Sequence, residues 1–216
     1  MNVATKCLLV GNGVKNPLQF LRDLSKKVDY IIGVDAGTES LLEAGVKVDL
    51  AIGDFDSLKD KNILKGLKYL EYPKDKDYSD TDLAVIKALS LNYDEIILTN
   101  MLGGRTDHLL FNISLLYKIL KAGKIGKIVE NREEIYIFDQ EIRVETKLED
   151  TVSIFPFSSI VSFETSTGLF YSLENKSVNF GEVLTLSNYA VSDEIYVKLR
   201  AGIALLLLER KHPLYP

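Results

Sequence analysis

The chain has 216 residues, 46% of them hydrophobic and 26% charged, a balance typical of folded globular domains and enough chain for one large domain or two small ones. Disorder, collagen and a continuous coiled coil are thereby excluded as descriptions of the whole. The 26 basic and 31 acidic residues give a net charge of −5, which argues against broad nucleic-acid binding and suits divalent metal chemistry wherever carboxylates converge.

The first half alternates two kinds of segment. Residues 6–10 read as a buried strand ending in Gly11-Asn12-Gly13, and residues 17–26 have helical spacing. Residues 30–34 form a second strand that closes on Asp35-Ala36-Gly37, before a short helix over 39–44. A third strand, 49–52, ends in Gly53-Asp54-Phe55-Asp56, and 67–72 follows it. Then come a helix over 80–90, a strand over 95–99 and a helix over 107–122. Strands alternating with helices predict a parallel sheet covered by helices. Eleven of the 14 glycines fall before residue 127. Beyond it the helical period stops, and Glu134-Ile135-Tyr136-Ile137-Phe138, Glu141-Ile142-Arg143-Val144-Glu145, Val152-Ser153-Ile154-Phe155 and Ile195-Tyr196-Val197-Lys198-Leu199 read as strands separated by Gly and Pro breaks. The expected architecture is an α/β domain over 1–126, with a parallel sheet flanked by helices, followed by a small all-β sandwich domain over 127–216. Residues 127–129 also suit a last strand of the first sheet.

The longest apolar run, 201–208 with Gly202 inside it, is too short to cross a bilayer. The opening segment lacks the apolar core of a secretory signal. Cys7 is the one cysteine, so no internal disulfide forms and nothing requires an oxidising compartment. The expectation is a cytoplasmic protein with no membrane and no nucleic-acid partner.

Ligands of open parallel sheets bind at the carboxyl ends of the strands. Those ends here carry Gly11-Asn12-Gly13, Asp35-Ala36-Gly37, Gly53-Asp54-Phe55-Asp56 and Met101-Leu102-Gly103-Gly104-Arg105, which places three carboxylates and an arginine on one rim. Asp54 and Asp56 are two apart, so in extended backbone they project to one side and suit one Mg2+ shared with substrate phosphates. The plainer account is a turn at Gly53-Asp54 with Asp56-Ser57 capping the next helix. Ser79 and Asp82 match a capping box, which leaves Asp77 and Asp80 as surplus carboxylates for metal or substrate. Gly103-Gly104-Arg105-Thr106-Asp107-His108 opens a helix, where backbone N–H groups and an arginine fork suit an anion. His108 and Asn112 share a helical face. Ordinary readings are a packed histidine at His108 and an N-cap at Asp107.

Other familiar sites are missing. Gly123-Lys124 and Gly126-Lys127 are each followed by isoleucine, so there is no P-loop, and no dinucleotide fingerprint follows the first strand. Two histidines and one buried-type cysteine make a His/Cys zinc site improbable, and no nucleophile triad assembles.

In order, Val34-Asp35-Ala36-Gly37, Gly53-Asp54-Phe55-Asp56-Ser57, Lys76-Asp77-Tyr78-Ser79-Asp80-Thr81-Asp82 and Gly103-Gly104-Arg105-Thr106-Asp107-His108 with Asn112 resemble the thiamine pyrophosphokinase family. A weaker likeness continues in Thr167-Gly168-Leu169-Phe170-Tyr171 and Ser187-Asn188. The resemblance implies transfer of diphosphate from ATP to the hydroxyethyl oxygen of thiamine, giving thiamine diphosphate and AMP, with Mg2+ as cofactor. It also implies a homodimer with thiamine bound between subunits. By position, Asp35, Asp54, Asp56, Asp77 and Asp80 become catalytic, with Asp54, Asp56 and Asp80 on the metal. Gly103, Gly104, Arg105, Asp107, His108 and Asn112 fall to ATP, and Gly168, Tyr171, Ser187 and Asn188 to thiamine. The chain departs from the family at Ala36, Ser79, Asp82 and Phe170, where glycine, threonine, glutamate and lysine are usual. With no tryptophan, stacking on thiamine falls to Tyr or Phe. Open alternatives are a pyrophosphokinase for another hydroxymethyl heterocycle such as a pterin, a Mg-dependent phosphohydrolase with Asp54 as nucleophile, and a non-enzymatic nucleotide or thiamine sensor.

Overall fold

A computed structural model describes residues 4–215. The chain divides into two compact units, one running to Asn131 and joined by Tyr215, the other spanning Arg132–Leu214.

The first unit contains β1 (Lys6–Val10), α1 (Leu18–Ser25), β2 (Tyr30–Val34), α2 (Gly37–Glu43), β3 (Leu50–Gly53), a single 3-10 turn (Lys61–Leu64), β4 (Tyr69–Glu71), α3 (Asp80–Ser90), β5 (Glu95–Thr99), α4 (Thr106–Lys121) and β6 (Ile125–Val129). Its strands lie in the order β6-β5-β1-β2-β3-β4, every pair parallel. Near-continuous burial of β1, β2, β3 and β5 is what a strand covered on both faces requires. On one face α1 and α2 contribute Phe20, Leu21 and Leu41 to a core with Leu8, Val10, Ile31, Ile97 and Val129. α3 lies across β1, β2 and β3 and buries Ala84, Val85 and Ala88. β6 pairs with β5, so residues 127–129 do close the first sheet, and the unit ends at Asn131 rather than near residue 126.

The chain moves outward from β1 through β2, β3 and β4, then returns to lay β5 on the other side of β1. The loops after β1 and β5 therefore part in opposite directions. This is the topological switch point at which open α/β sheets bind ligands.

The second unit contains β7 (Glu133–Phe138), β8 (Glu141–Glu145), β9 (Thr151–Pro156), β10 (Ile160–Thr167), β11 (Ser177–Asn179), β12 (Asn188–Tyr189), β13 (Glu194–Ala201) and β14 (Ala204–Glu209). They form two antiparallel sheets, β12-β9-β14-β7 and β11-β10-β13-β8. Inward residues of both, among them Phe138, Ile154, Phe163, Val197 and Leu206, make one core. This is the expected sandwich. β14 escapes sequence reading because its apolar run lacks alternation, and β11 and β12 are too short to show a period. Arg210, just after β14, donates to Glu134 on β7 and to Asp150 at 3.1 Å, which neutralises two buried carboxylates. Among the described residues, no helix is long and apolar enough to cross a membrane.

Candidate active site

The acidic rim is built by the turns that follow β2 and β3, with Asp80 added from the first turn of α3. Asp35 follows β2 in left-handed backbone, φ 48°, a conformation that Asp tolerates better than most residues. Its N–H donates to the Ile52 carbonyl at 2.8 Å, tying the β2 turn to β3. Gly37 opens α2 so close to β1 that a Cβ there would stand 1.9 Å from the Val10 carbonyl oxygen. Only glycine lets this helix start where it does.

Asp54 and Asp56 do converge, but not as an extended strand would arrange. β3 ends at Gly53, and the intervening Phe55 is left-handed, φ 57°. A bulky residue there is an outlier that surrounding packing must hold. Phe55 is 0% exposed, clusters with Ala51 and Leu64, and meets the Tyr69 ring edge-on at 5.9 Å. The Asp56 N–H donates to Asp54 Oδ1 at 3.1 Å, closing an Asx turn. Asp56 caps no helix. The cap of the next turn is Asp60, which accepts from Asn62 N–H.

One carboxylate oxygen each from Asp35, Asp54 and Asp56 lies within 4.8 Å of the others. Oδ1 of Asp35 is buried and accepts no hydrogen bond. Burial pushes the Asp35 carboxyl above the ordinary carboxylate range, the hydrogen bonds from Ser57 and Ala36 oppose this, and the Asp80 and Asp54 charges add to it. Converging hard oxygens with an unsatisfied member fit Mg2+ better than any softer ion.

Asp80 joins from the first turn of α3 through Lys76, whose ammonium stands 3.1 Å from Asp80 Oδ1 and 3.7 Å from Asp54 Oδ2. Lys74 pairs with Asp56 and holds its carboxyl below the usual range. Ser79 caps α3 as expected, accepting from Asp82 N–H at 3.1 Å. Asp82 does not return the bond, because its carboxylate is committed to Lys118 on α4. Asp77 is exposed and outside the converging group.

The loop after β5 is held from beneath. Glu130, at the end of β6, accepts from Asn100 N–H at 3.0 Å and Met101 N–H at 2.9 Å. Asn16 donates to Glu130, Thr99 and Asn100, lacing the two diverging loops together. Asn112 donates to the Met101 carbonyl at 2.9 Å. On this support Gly103 and Gly104 take φ of +74° and +68°, consecutive left-handed positions that only glycine occupies readily. Arg105, not Asp107, is the N-cap of α4. Its guanidinium makes a two-pronged pair with Asp107 at 2.6 and 3.1 Å, which lowers the Asp107 carboxyl to about 2. His108 is exposed rather than packed, with its backbone N–H bonded to Asp107.

In the second unit the anticipated residues also meet. Asn188 is buried, accepts from Tyr171 and Tyr189 N–H at 3.0 and 2.9 Å, and donates to the Tyr171 carbonyl at 2.8 Å. Its side chain therefore shapes the loop that presents Tyr171. Gly168 turns this loop with φ +78°. Ser187 is left-handed at φ 56°, with its N–H on Ser153 Oγ at 3.0 Å. Phe170, Tyr171 and Tyr189 form an aromatic cluster, with Phe170 stacked on Tyr189 at 4.5 Å and more than half exposed.

No local sequence pattern singles out Lys76, Glu130, Asn16 or Phe55. Lys76 sits in a motif dominated by its acids, and Phe55 lies between two acids. Glu130 and Asn16 act only through contacts more than 80 residues apart in the chain or across strands, which no local pattern announces.

An open parallel α/β unit whose carboxylates converge at the ends of β2 and β3, joined in sequence to an antiparallel sandwich, defines the class of fold. The thiamin pyrophosphokinase catalytic domain matches residues 21–127, and the thiamin pyrophosphokinase vitamin B1 binding domain matches residues 139–204. Thiamine pyrophosphokinase of Bacillus subtilis (strain 168) is 33% identical over 205 residues, covering 92% of this chain and 96% of the relative. A crystal structure of thiamine pyrophosphokinase from Bacillus subtilis superposes with a TM-score of 0.84 at 31% identity, covering 96% of this chain and 100% of that one. That from Geobacillus thermodenitrificans gives 0.83 at 29% identity, covering 96% and 98%. The chain belongs to the thiamine pyrophosphokinase family, and it is an enzyme of that activity.

Proposed function

We propose that this enzyme transfers diphosphate from ATP to the hydroxyethyl oxygen of thiamine in a Mg2+-dependent reaction that releases AMP, in the cytoplasm. The observation that carries the reading is the approach of Asp35, Asp54 and Asp56 within 4.8 Å at the strand ends of an α/β unit. Asp54 and Asp56, flanked by Asp35 and Asp80, would hold the ion. When bound it would supply neutralisation of polyphosphate charge as the bond at the β-phosphorus changes hands.

The chain's own residues do the rest. Gly103 and Gly104 open their backbone toward a phosphate, and Arg105 exchanges its Asp107 partner for phosphate oxygens. Asp107 keeps the arginine oriented in the meantime. Asn112 and Glu130 fix the loop, and Asp77 and His108, both exposed, border the nucleotide. In the second unit the exposed faces of Phe170 and Tyr171 offer a π surface to a cationic thiazolium ring, while Gly168, Ser187 and Asn188 set its shape. The enzyme acts as a homodimer with thiamine bound at the subunit interface, a reading supported by the exposed Phe155, Phe180, Val183, Leu184 and Leu186 of the second unit. Family membership does not favour a pterin acceptor, a phosphohydrolase or a sensor.

Mass spectrometry of purified protein with Mg-ATP, with and without thiamine, tests the reaction. AMP and thiamine diphosphate are expected together and only when thiamine is present. Phosphate release without a thiamine product would overturn it.

A further inference from the structure

Lys76 is the anomaly of the acidic rim. Lysine is seldom buried unless its charge is paired, yet this side chain is only 12% exposed, against 77% for its neighbour Lys74. Its ammonium stands 3.7 Å from Asp54 Oδ2, 3.1 Å from Asp80 Oδ1 and 3.1 Å from the Pro73 carbonyl oxygen. It therefore bridges the β3 turn and the first turn of α3, two segments that share no backbone hydrogen bond across this gap among those described. Asp54 is one of the three carboxylates that converge, so the ammonium and a divalent cation would compete for the same negative charge at a separation of a few ångströms. Like charges that close, screened little by water, repel strongly.

We propose that Lys76 is a built-in counter-cation of the carboxylate cluster, one that keeps divalent-cation binding weak until a polyphosphate arrives to take the ammonium as its own partner. Without nucleotide, Lys76 neutralises Asp54 and Asp80 as an ion-pair partner, although the buried Asp80 Oδ1 accepts no hydrogen bond, and it spans the two turns. With nucleotide, phosphate oxygens give the ammonium a second anionic partner, and the cluster is released to the ion. Metal and nucleotide then bind with positive coupling through one side chain. The inference rests on the metal reading proposed above and adds to it an order of events.

The test is titration of the full-length protein with Mn2+, followed by electron paramagnetic resonance of the free ion. It is run with and without a non-hydrolysable ATP analogue on the wild type, Lys76→Met, Lys76→Gln and Lys76→Arg, with Asp54→Asn as the control for the site. For Lys76→Met and Lys76→Gln, Mn2+ alone is expected to bind about tenfold or more tightly than to wild type, a step of about 1.4 kcal/mol. The gain that the analogue confers on Mn2+ binding shrinks in the same variants, whereas Lys76→Arg retains it. Unchanged or weaker binding of Mn2+ alone to both folded variants would overturn the counter-cation role while leaving the metal site standing. Wild type that binds no Mn2+ even with the analogue, or Asp54→Asn that binds it equally well, would overturn the metal reading and the proposal together.

Discussion

At the scale of residues, three candidate ligand-facing turns place a non-glycine residue in left-handed backbone: Asp35, Phe55 and Ser187, and Asn100 does the same beneath the β5 loop. Backbone strain of this kind costs about 1–3 kcal/mol per residue and persists only where the surroundings over-determine it. Here those surroundings are a fully buried ring at Phe55, the Ile52 carbonyl at Asp35 and the Glu130 carboxylate beneath Asn100. Asp54→Asn and Asp56→Asn keep the size and most of the hydrogen bonding of the turn while removing a charge. Each is expected to lower thiamine diphosphate formation by about 10²- to 10³-fold, with the circular-dichroism spectrum of the folded protein retained. Near-normal turnover in a folded variant would take that carboxylate out of the metal site. The aspartates were legible in the sequence because turn-forming residues at strand ends follow a local rule. Their convergence was legible too, though through an extended geometry that the left-handed Phe55 replaces.

At the scale of elements, two buried charges join segments distant in the chain. Glu130 links β6 to the loop after β5, and burial raises its carboxyl above the ordinary value of 4.5, opposed by its bonds from Met101, Asn16 and Asn100. A group whose folded pKa exceeds its unfolded one contributes stability fully below the unfolded value and loses it as pH rises through the folded value. The melting temperature of wild type relative to Glu130→Gln should therefore be most favourable below about pH 4.5 and decline as pH rises from there. A difference that is flat or grows with pH would show that Glu130 is not lifted. Arg210 is the mirror case, a cation serving Glu134 and Asp150. Arg210→Ala leaves two carboxylates buried without their counter-charge, and denaturant unfolding should show a loss of about 3–5 kcal/mol. A loss under 1 kcal/mol would mean that water or a rearranged Lys211 replaces it. Neither role was visible beforehand, because a charged residue at a strand end reads as solvated until its partner is known.

At the scale of the whole molecule, the second unit leaves Phe180, Val183, Leu184 and Leu186 each more than 60% exposed within seven residues of chain. Large apolar side chains so clustered mark an interaction surface, and the homodimer proposed above would cover them. Light scattering should give twice the monomer mass. Leu184→Asp with Leu186→Asp should shift the protein toward the monomer and weaken thiamine use, leaving the melting of the monomer unchanged. A monomeric wild type with full activity would remove the dimer from the mechanism.

The sequence by itself determined the class of each unit, because periodicity and burial follow directly from the backbone geometry of helix and strand. It also determined the set of strand-end carboxylates, and with them the family. Helices α3 and α4 and strands β2 and β5 lie where the pattern put them to within a residue. Only the tertiary structure decided where the first sheet ends, since Lys127-Ile128-Val129 suits either unit until β6 is seen paired with β5. The same holds for the work given to each polar side chain. Asp82 serves Lys118 instead of its cap, Asn188 shapes a loop, and Lys76 turns inward onto Asp54 and Asp80. A charge takes its meaning from the partner and the burial it meets, and both are properties of the packed chain.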